Sequence, residues 1–241
     1  MSQPIILYDL PGKGAIKAVS GNVYKTRYTL AYKGLAFKTV WVEFQDVEER
    51  MKAIGAQPTG LKPDGSGPLY TVPTIQDPST GAVTSDSFAI AAYLDHTYPS
   101  TPRVFPRGAA ALIGVFDAAF MQRMRPMFLL LAAQVPKSDE YFWRHAEKRF
   151  GTREVSPEGP QRERDWEDAK SFLGVVDGWY SKSGGKWIMG DTFSYADMIV
   201  GAWIKCFSVA FDKDRWEAMS SWHGGRWAGV VEEMDKYPIL D

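Results

Sequence analysis

The apolar run IILY at residues 5–8 is bounded by Asp9 and a stretch rich in glycine, lysine and proline, which predicts a short buried strand followed by a long loop. Over residues 22–33 the stripe Val23, Thr26/Arg27, Leu30, Ala31 recurs at helical spacing, and Gly34 supplies a helix stop. Residues 37–44, FKTVWVEF, are rich in β-branched and aromatic side chains and read as a second strand. A charged helix over 46–56 follows, then an irregular loop over 58–68. Residues 72–75 form a strand with Pro73 inside it. Gly81 turns a hairpin into residues 82–84, and Asp86-Ser87 opens a helix carrying Ile90, Tyr93 and Leu94 on one stripe. The order β-α-β-α-β-β-α combines a parallel crossover with an antiparallel hairpin. It predicts an α/β thioredoxin-like domain over residues 1–98.

The pattern then changes. Residues 99–108 hold three prolines and no apolar period, which marks a linker. Residues 109–241 show helical periodicity only and predict an all-α domain. A long helix over 109–133 carries Phe116, Phe120, Met124 and Phe128 and is expected to kink at Pro126. Helices over 137–150 and 157–182 follow. Ser194 with Asp197 three residues on is an acidic variant of the capping box and heads a buried helix. Trp216, Trp222 and Trp227 sit on one or two further helices over 212–237.

Composition narrows the function. A formal net charge of −1 lacks the basic footprint of a general nucleic-acid binder. No apolar stretch reaches membrane-spanning length, and the start MSQPIILYDLPG reads as a strand, not a signal peptide. Cys206, the single cysteine, excludes an intrachain disulfide or a CxxC redox pair, and points to a reducing compartment, most simply the cytosol. On a buried helix it is expected to pack. His96, His145 and His223 show no metal-ligating spacing, so no metal is expected and surface or capping roles are assigned.

Two features carry candidate chemistry. A proline in a strand belongs at an edge, at a bulge or on a cis bond. If the Val72-Pro73 bond is cis, the backbone of Val72 faces outward to pair with a short extended ligand. Thirteen residues on, the helix N-terminus at Asp86-Ser87 offers bare N–H groups and a positive dipole end. A peptide-like anion suits both.

The series Ser20-Gly21-Asn22 before KTRYTLAYKGL, then TVPTI, then SDSFAIAAYLD, then GDTFSYAD resembles the cytosolic glutathione transferases across essentially the whole chain. The extended loop before Ser20 and the form YTVPTI…SDSFAIAAYLD resemble the bacterial β-etherase type and the FuA class of wood-degrading fungi. The resemblance implies that glutathione is co-substrate. Val72, before Pro73, would pair with its cysteinyl part, and Asp86, in place of a commoner glutamate, would hold the γ-glutamyl end with Ser87. Ser20, with Asn22 at the mouth of the same helix, would hold the sulfur. Lys62 falls where relatives contact the glycine carboxylate. A cysteine at the Ser20 position would signal thiol transfer, and none is present. Tyr8 competes with Ser20, because other classes use a tyrosine near the end of the first strand, although packing is its expected role.

A second, aromatic or phenolic substrate is expected between the domains, against Phe116, Phe120 and Met124, with Met121 and Phe128 on the same helix. Arg123 and Arg125 are expected to be solvated. The resemblance also implies a homodimer. The expected activity is attack of glutathione thiolate on an electrophilic aromatic compound, with β-aryl ether cleavage as a variant. A ligandin that binds phenolic compounds without turnover and a transferase-like interaction domain are the alternatives.

Overall fold

The computed structural model describes residues 3–12, 17, 18, 20–62, 64–135, 143, 147 and 155–239. Strand β1 (Ile5–Asp9) leads to helix α1 (Gly21–Tyr32), strand β2 (Phe37–Trp41), a 3-10 turn at Phe44–Asp46 and helix α2 (Val47–Ala53). A small hairpin, β3 (Gly60–Leu61) and β4 (Pro68–Leu69), precedes β5 (Thr74–Asp77), β6 (Ala82–Ser85) and α3 (Ser87–Thr97). The four longer strands form one sheet in the order β2-β1-β5-β6. β1 and β2 are parallel, while β5 runs antiparallel to both β1 and β6. This is the expected thioredoxin-like layout.

Two expectations are corrected here. β5 begins at Thr74, so Pro73 stands just ahead of the ladder and forfeits no ladder donor. Residues 58–68 include the β3–β4 hairpin, which two-residue strands without alternation could not announce.

Period-two alternation along β1 sorts its side chains between two layers. Ile5 and Leu7 join Val23, Leu30, Ile75, Ile90 and Leu94 on the face covered by α1 and α3. Tyr8 joins Val42, Val47, Met51 and Ala56 on the face covered by α2. The far side of α1 is buried as well, since Tyr24 and Tyr28 enter the core of the helical half.

That half consists of α4 (Ala110–Arg123), α5 (Arg125–Ala132), α6 (Pro160–Lys182), α7 (Tyr195–Ala210) and α8 (Lys213–Met234). The expected long helix is broken, not kinked: Met124 ends α4, and Pro126 falls in the first turn of α5, where its missing N–H has no partner to lose. α8 is interrupted at Trp222–Gly225, where His223, Gly224 and Gly225 take left-handed φ of 53°, 72° and 80°. Two glycines make such a run feasible. The helix expected over 137–150 lies outside the described residues, apart from Trp143 and Glu147. Among the described residues no helix is long and apolar enough to cross a membrane.

The cap of α7 is buried. The Asp197 carboxylate accepts from the Ser194 amide and hydroxyl, each at 3.0 Å, and from the Ile188 amide at 2.9 Å. Burial pushes its pKa up to about 6, against these donors, which lower it. Between about pH 4 and about pH 6 the folded protein therefore holds a proton that the unfolded chain has released, and this group's contribution to stability falls as pH rises. Comparing wild type with Asp197→Asn by urea unfolding is expected to show a larger wild-type advantage at about pH 4.5 than at about pH 7. A larger advantage at the higher pH would refute the burial effect.

Candidate active site at the carboxyl end of β1

Register brings the candidate residues to one end of the sheet. Tyr8 pairs with Thr74, and Thr74 pairs with Ser85. The next residues outward, Pro73 and Asp86, therefore flank Asp9 at the carboxyl end of β1, and the Asp86 amide donates to the Pro73 carbonyl at 3.3 Å. The loop that leaves β1 at this same end returns to Ser20.

Ser20 is the N-cap of α1, with extended backbone at φ −94°, ψ 114°. Its Oγ accepts from the Val23 amide at 3.4 Å, a long contact that uses a lone pair and leaves the hydroxyl proton available. Among the described residues no acceptor is placed for that proton. The first turn of α1 carries no acidic residue, so the positive end of the helix dipole is unopposed. Asn22 sits half-buried in that first turn. The loop ahead of Ser20 is pinched at its neck, where Pro11 bridges Ala18, Gly12 N donates to Lys17 O at 2.8 Å, and Tyr24 Oη donates to Ala18 O at 2.9 Å.

The seating of α1 depends on residues that the sequence reading did not single out for it. A Cβ on Gly21 would lie 2.4 Å from the Trp203 ring, so only glycine lets α1 approach α7 this closely. Beside it, Cys206 is buried and the Gly21 amide hydrogen-bonds its sulfur; burial raises the thiol to about 12. It is packed, as expected of it, and its raised pKa keeps it protonated. Arg27, fully buried, donates to Asp9 Oδ2 through Nε at 3.0 Å and Nη2 at 2.8 Å. Burial raises the Asp9 pKa, opposed by this pairing and by the Leu10 amide.

Val72 is half-buried, and its bond to buried Pro73 is cis. Asp86 is exposed and caps α3, its Oδ1 accepting from Phe88 N and Ala89 N at 3.0 Å each. It holds φ 76°, an unfavourable conformation for a non-glycine residue that costs about 1–3 kcal/mol. Ser87, buried, begins the helix, and its amide is not engaged by that cap. Lys62 lies in the turn after β3, with Nζ 2.7 Å from Glu48 Oε2.

Tyr8 faces the α2 side of the sheet, opposite α1. Its hydroxyl donates to Gln76 Oε1, Arg50 stands 5.7 Å from its ring, and it is 2% exposed. It packs in the sheet, as expected. His96 is exposed near the end of α3, and His223 Nδ1 accepts from Trp227 Nε1 at 3.0 Å in the α8 break. His145 lies outside the described residues. No metal-ligating group of His, Cys, Asp and Glu gathers among the described residues.

The expected substrate stripe is redistributed. Phe120 and Met124 have no exposed surface. Phe116 meets Trp179 at 5.2 Å and Phe120 meets Phe172 at 5.3 Å, both partners on α6. The α4 face turned toward the sheet carries Gly114, against Phe88 of α3, and Asp117, paired with Lys25. One hundred degrees of turn per residue separates these faces, which apolarity alone could not reveal. Phe128 instead reaches toward α1 through Trp203, whose ring it meets edge-on at 5.1 Å. Arg123 and Arg125 are exposed and line an open groove of about 340 Å³ against α6.

Residues 19–97 match the family model described as glutathione S-transferase, N-terminal domain, and residues 109–237 match glutathione S-transferase, C-terminal domain. A glutathione S-transferase of Ceriporiopsis subvermispora, solved in complex with glutathione, is 38% identical, with TM-score 0.90 and 99% of each chain covered. The glutathione transferase GSTFuA3 from Phanerochaete chrysosporium is 36% identical, with TM-score 0.85 and all of both chains covered. The glutathione S-transferase-like protein ustS of Aspergillus flavus is 28% identical over 93% of this chain and 86% of its own length.

Replacing Gly21 by alanine is expected to destabilise the protein by about 1–3 kcal/mol, because the indole and both helices must part. Thermal unfolding would read the loss, and an unchanged melting temperature would show that the contact yields freely.

Proposed function

This chain belongs to the glutathione S-transferase family, with FuA-class enzymes among its structural relatives, and we propose that it activates glutathione through Ser20 for attack on an electrophilic aromatic compound. The observation that carries this reading is the Ser20 hydroxyl, its proton without an acceptor among the described residues, at the head of a helix without acidic residues in its first turn.

Magnitudes support the choice. A thiol near its ordinary pKa of about 8.5 must lose roughly two units to be mostly thiolate at neutral pH, equivalent to about 2.7 kcal/mol. A hydrogen bond to a charged acceptor contributes about 1.5–3 kcal/mol and a helix N-terminus about 0.3–2 kcal/mol. Together they suffice without a general base. Ser20 donates its hydrogen bond to the sulfur and attacks nothing itself; Asn22 adds a polar group at the same helix mouth.

The γ-glutamyl end of glutathione carries both an ammonium and a carboxylate, and Asp86 and Ser87 answer both. The Asp86 carboxylate meets the ammonium, while the Ser87 amide at the head of α3 meets the carboxylate. The backbone of Val72, ahead of Pro73, pairs with the cysteinyl unit.

The second substrate lies against half-buried Phe128, whose ring stands edge-on to the buried Trp203 indole that packs on Gly21. The thiolate forms a carbon–sulfur bond there as the leaving group departs with its electron pair. In an aryl ether activated at the neighbouring carbon, that leaving group is a phenolate. Leu112 and Val115 stand 69% and 68% exposed on α4, apolar surface suited to a second copy in a homodimer. A reducing compartment such as the cytosol keeps the co-substrate in its thiol form.

Ser20→Ala is expected to lower turnover by about tenfold to a hundredfold and to raise the pKa of bound glutathione, read from thiolate absorbance, with glutathione affinity changed only a few-fold. Ser20→Asp, which caps the helix but donates no hydroxyl, should lose activity alike while keeping the fold. Unchanged turnover in both would overturn the assignment.

A further inference from the structure

A charged cluster at the α2 edge of the site, which includes Lys62, takes no part in activating the sulfur. Glu48, in the first turn of α2, accepts from Lys52 Nζ at Oε1 and stands against Lys62 Nζ at Oε2, both at 2.7 Å. The Lys52 ammonium also lies 5.3 Å from the Tyr70 ring centroid. Tyr70 stands two residues ahead of Val72, so the cluster adjoins the segment that presents the Val72 backbone. One carboxylate thus bridges two ammonium groups carried by different elements, an arrangement that a ligand carboxylate would otherwise complete. A carboxylate is ionised at physiological pH in any case, and hydrogen bonds from Lys52 and Lys62 hold the Glu48 pKa lower still, at about 2.

Strand order says which end of an extended ligand meets this cluster. α3 follows β6 at one edge of the sheet, α2 follows β2 at the other, and Ser20 is reached from β1 between them. A γ-glutamyl-cysteinyl-glycine chain with its first end at α3 and its sulfur at Ser20 must direct its glycyl carboxylate toward α2. There it meets Lys52 and Lys62, already joined by Glu48. We propose that Glu48 is a built-in competitor for the glycyl carboxylate, occupying both lysines and making the enzyme tolerant of glutathione whose glycyl end is blocked. This inference rests on the glutathione reading above.

Calorimetric titration of the full chain with glutathione and with its glycyl ethyl ester tests it. Wild type is expected to bind the two within about twofold of each other, since the lysines of this exposed cluster are already paired. Glu48→Gln, an uncharged isostere at an exposed position, should tighten glutathione by about threefold to fivefold and leave the ester within about twofold of its wild-type value. Lys62→Ala added to Glu48→Gln should erase that gain. Raising the salt should shrink it. A gain shared equally by the ester, no gain, or weaker glutathione binding in Glu48→Gln would overturn the proposal while leaving the glutathione reading intact. Failure of wild type to bind glutathione at all would overturn both.

Discussion

Helix α1 and its C-cap residue Lys33 hold three cations with almost no exposed side-chain surface, and each is neutralised by a carboxylate from a different element. Arg27 meets Asp9 of β1 at 2.8 Å, Lys33 meets Asp95 of α3 at 2.8 Å, and Lys25 meets Asp117 of α4 at 2.9 Å. An isolated buried charge is so costly that removing one partner of such a pair destabilises by about 3–5 kcal/mol. These pairs therefore act as locating pins more than as sources of stability. They fix α1 to the strand it follows, to the helix that ends the sheet half, and to the first helix of the other half. Arg27 extends the arrangement further, donating to the Ile239 carbonyl near the chain's end and lying 5.1 Å from the Trp41 ring.

The position of Ser20 follows from that anchoring. Gly21 removes the last obstacle to contact between α1 and the Trp203 indole, and Tyr24 ties the incoming loop to the first turn. A hydroxyl that must sit within hydrogen-bond reach of a sulfur is sensitive to shifts of a fraction of an ångström. It is accordingly mounted at the head of a helix most of whose residues are buried, not on a free loop.

What could be read from residues alone follows from how local each signal is. The capping box at Ser194 and Asp197, the cap at Asp86 and the helix stop at Gly34, whose φ is 65°, are decided within a few residues and appear in the chain as such. The thioredoxin-like layout, a parallel crossover with an antiparallel hairpin, followed from the sequence of elements. The pairing of Arg27 with Asp9, by contrast, joins a polar residue on a helical stripe to the end of a strand. Nothing local distinguishes it from a solvated arginine. The same limit applied to α4, where Phe116, Phe120 and Met124 were apolar at the right spacing, yet only the neighbouring helices determine which way that stripe faces. Pro126 marked a disturbance correctly, but whether a proline bends a helix or begins a new one depends on the packing that follows it.

The two edges of the site are built on different principles, and the difference bears on how such a site can change. At the α1 edge, charges are buried and each is paired, so most substitutions cost stability before they alter chemistry. At the α2 edge the charges of Glu48, Lys52 and Lys62 are exposed, with side-chain exposures of 39%, 51% and 33%. Pairs in such surroundings are weak, screened by salt and readily exchanged for a ligand's charge. The chemistry of the sulfur is thus insulated within the core, while recognition of the ligand's end is left on a surface where one residue can retune it without disturbing the fold. Asp86 lies between these regimes. Its exposed carboxylate caps α3, and its strained backbone is held by the Pro73 carbonyl and by the two amides it caps, so a recognition group at the surface is nonetheless kept in one orientation.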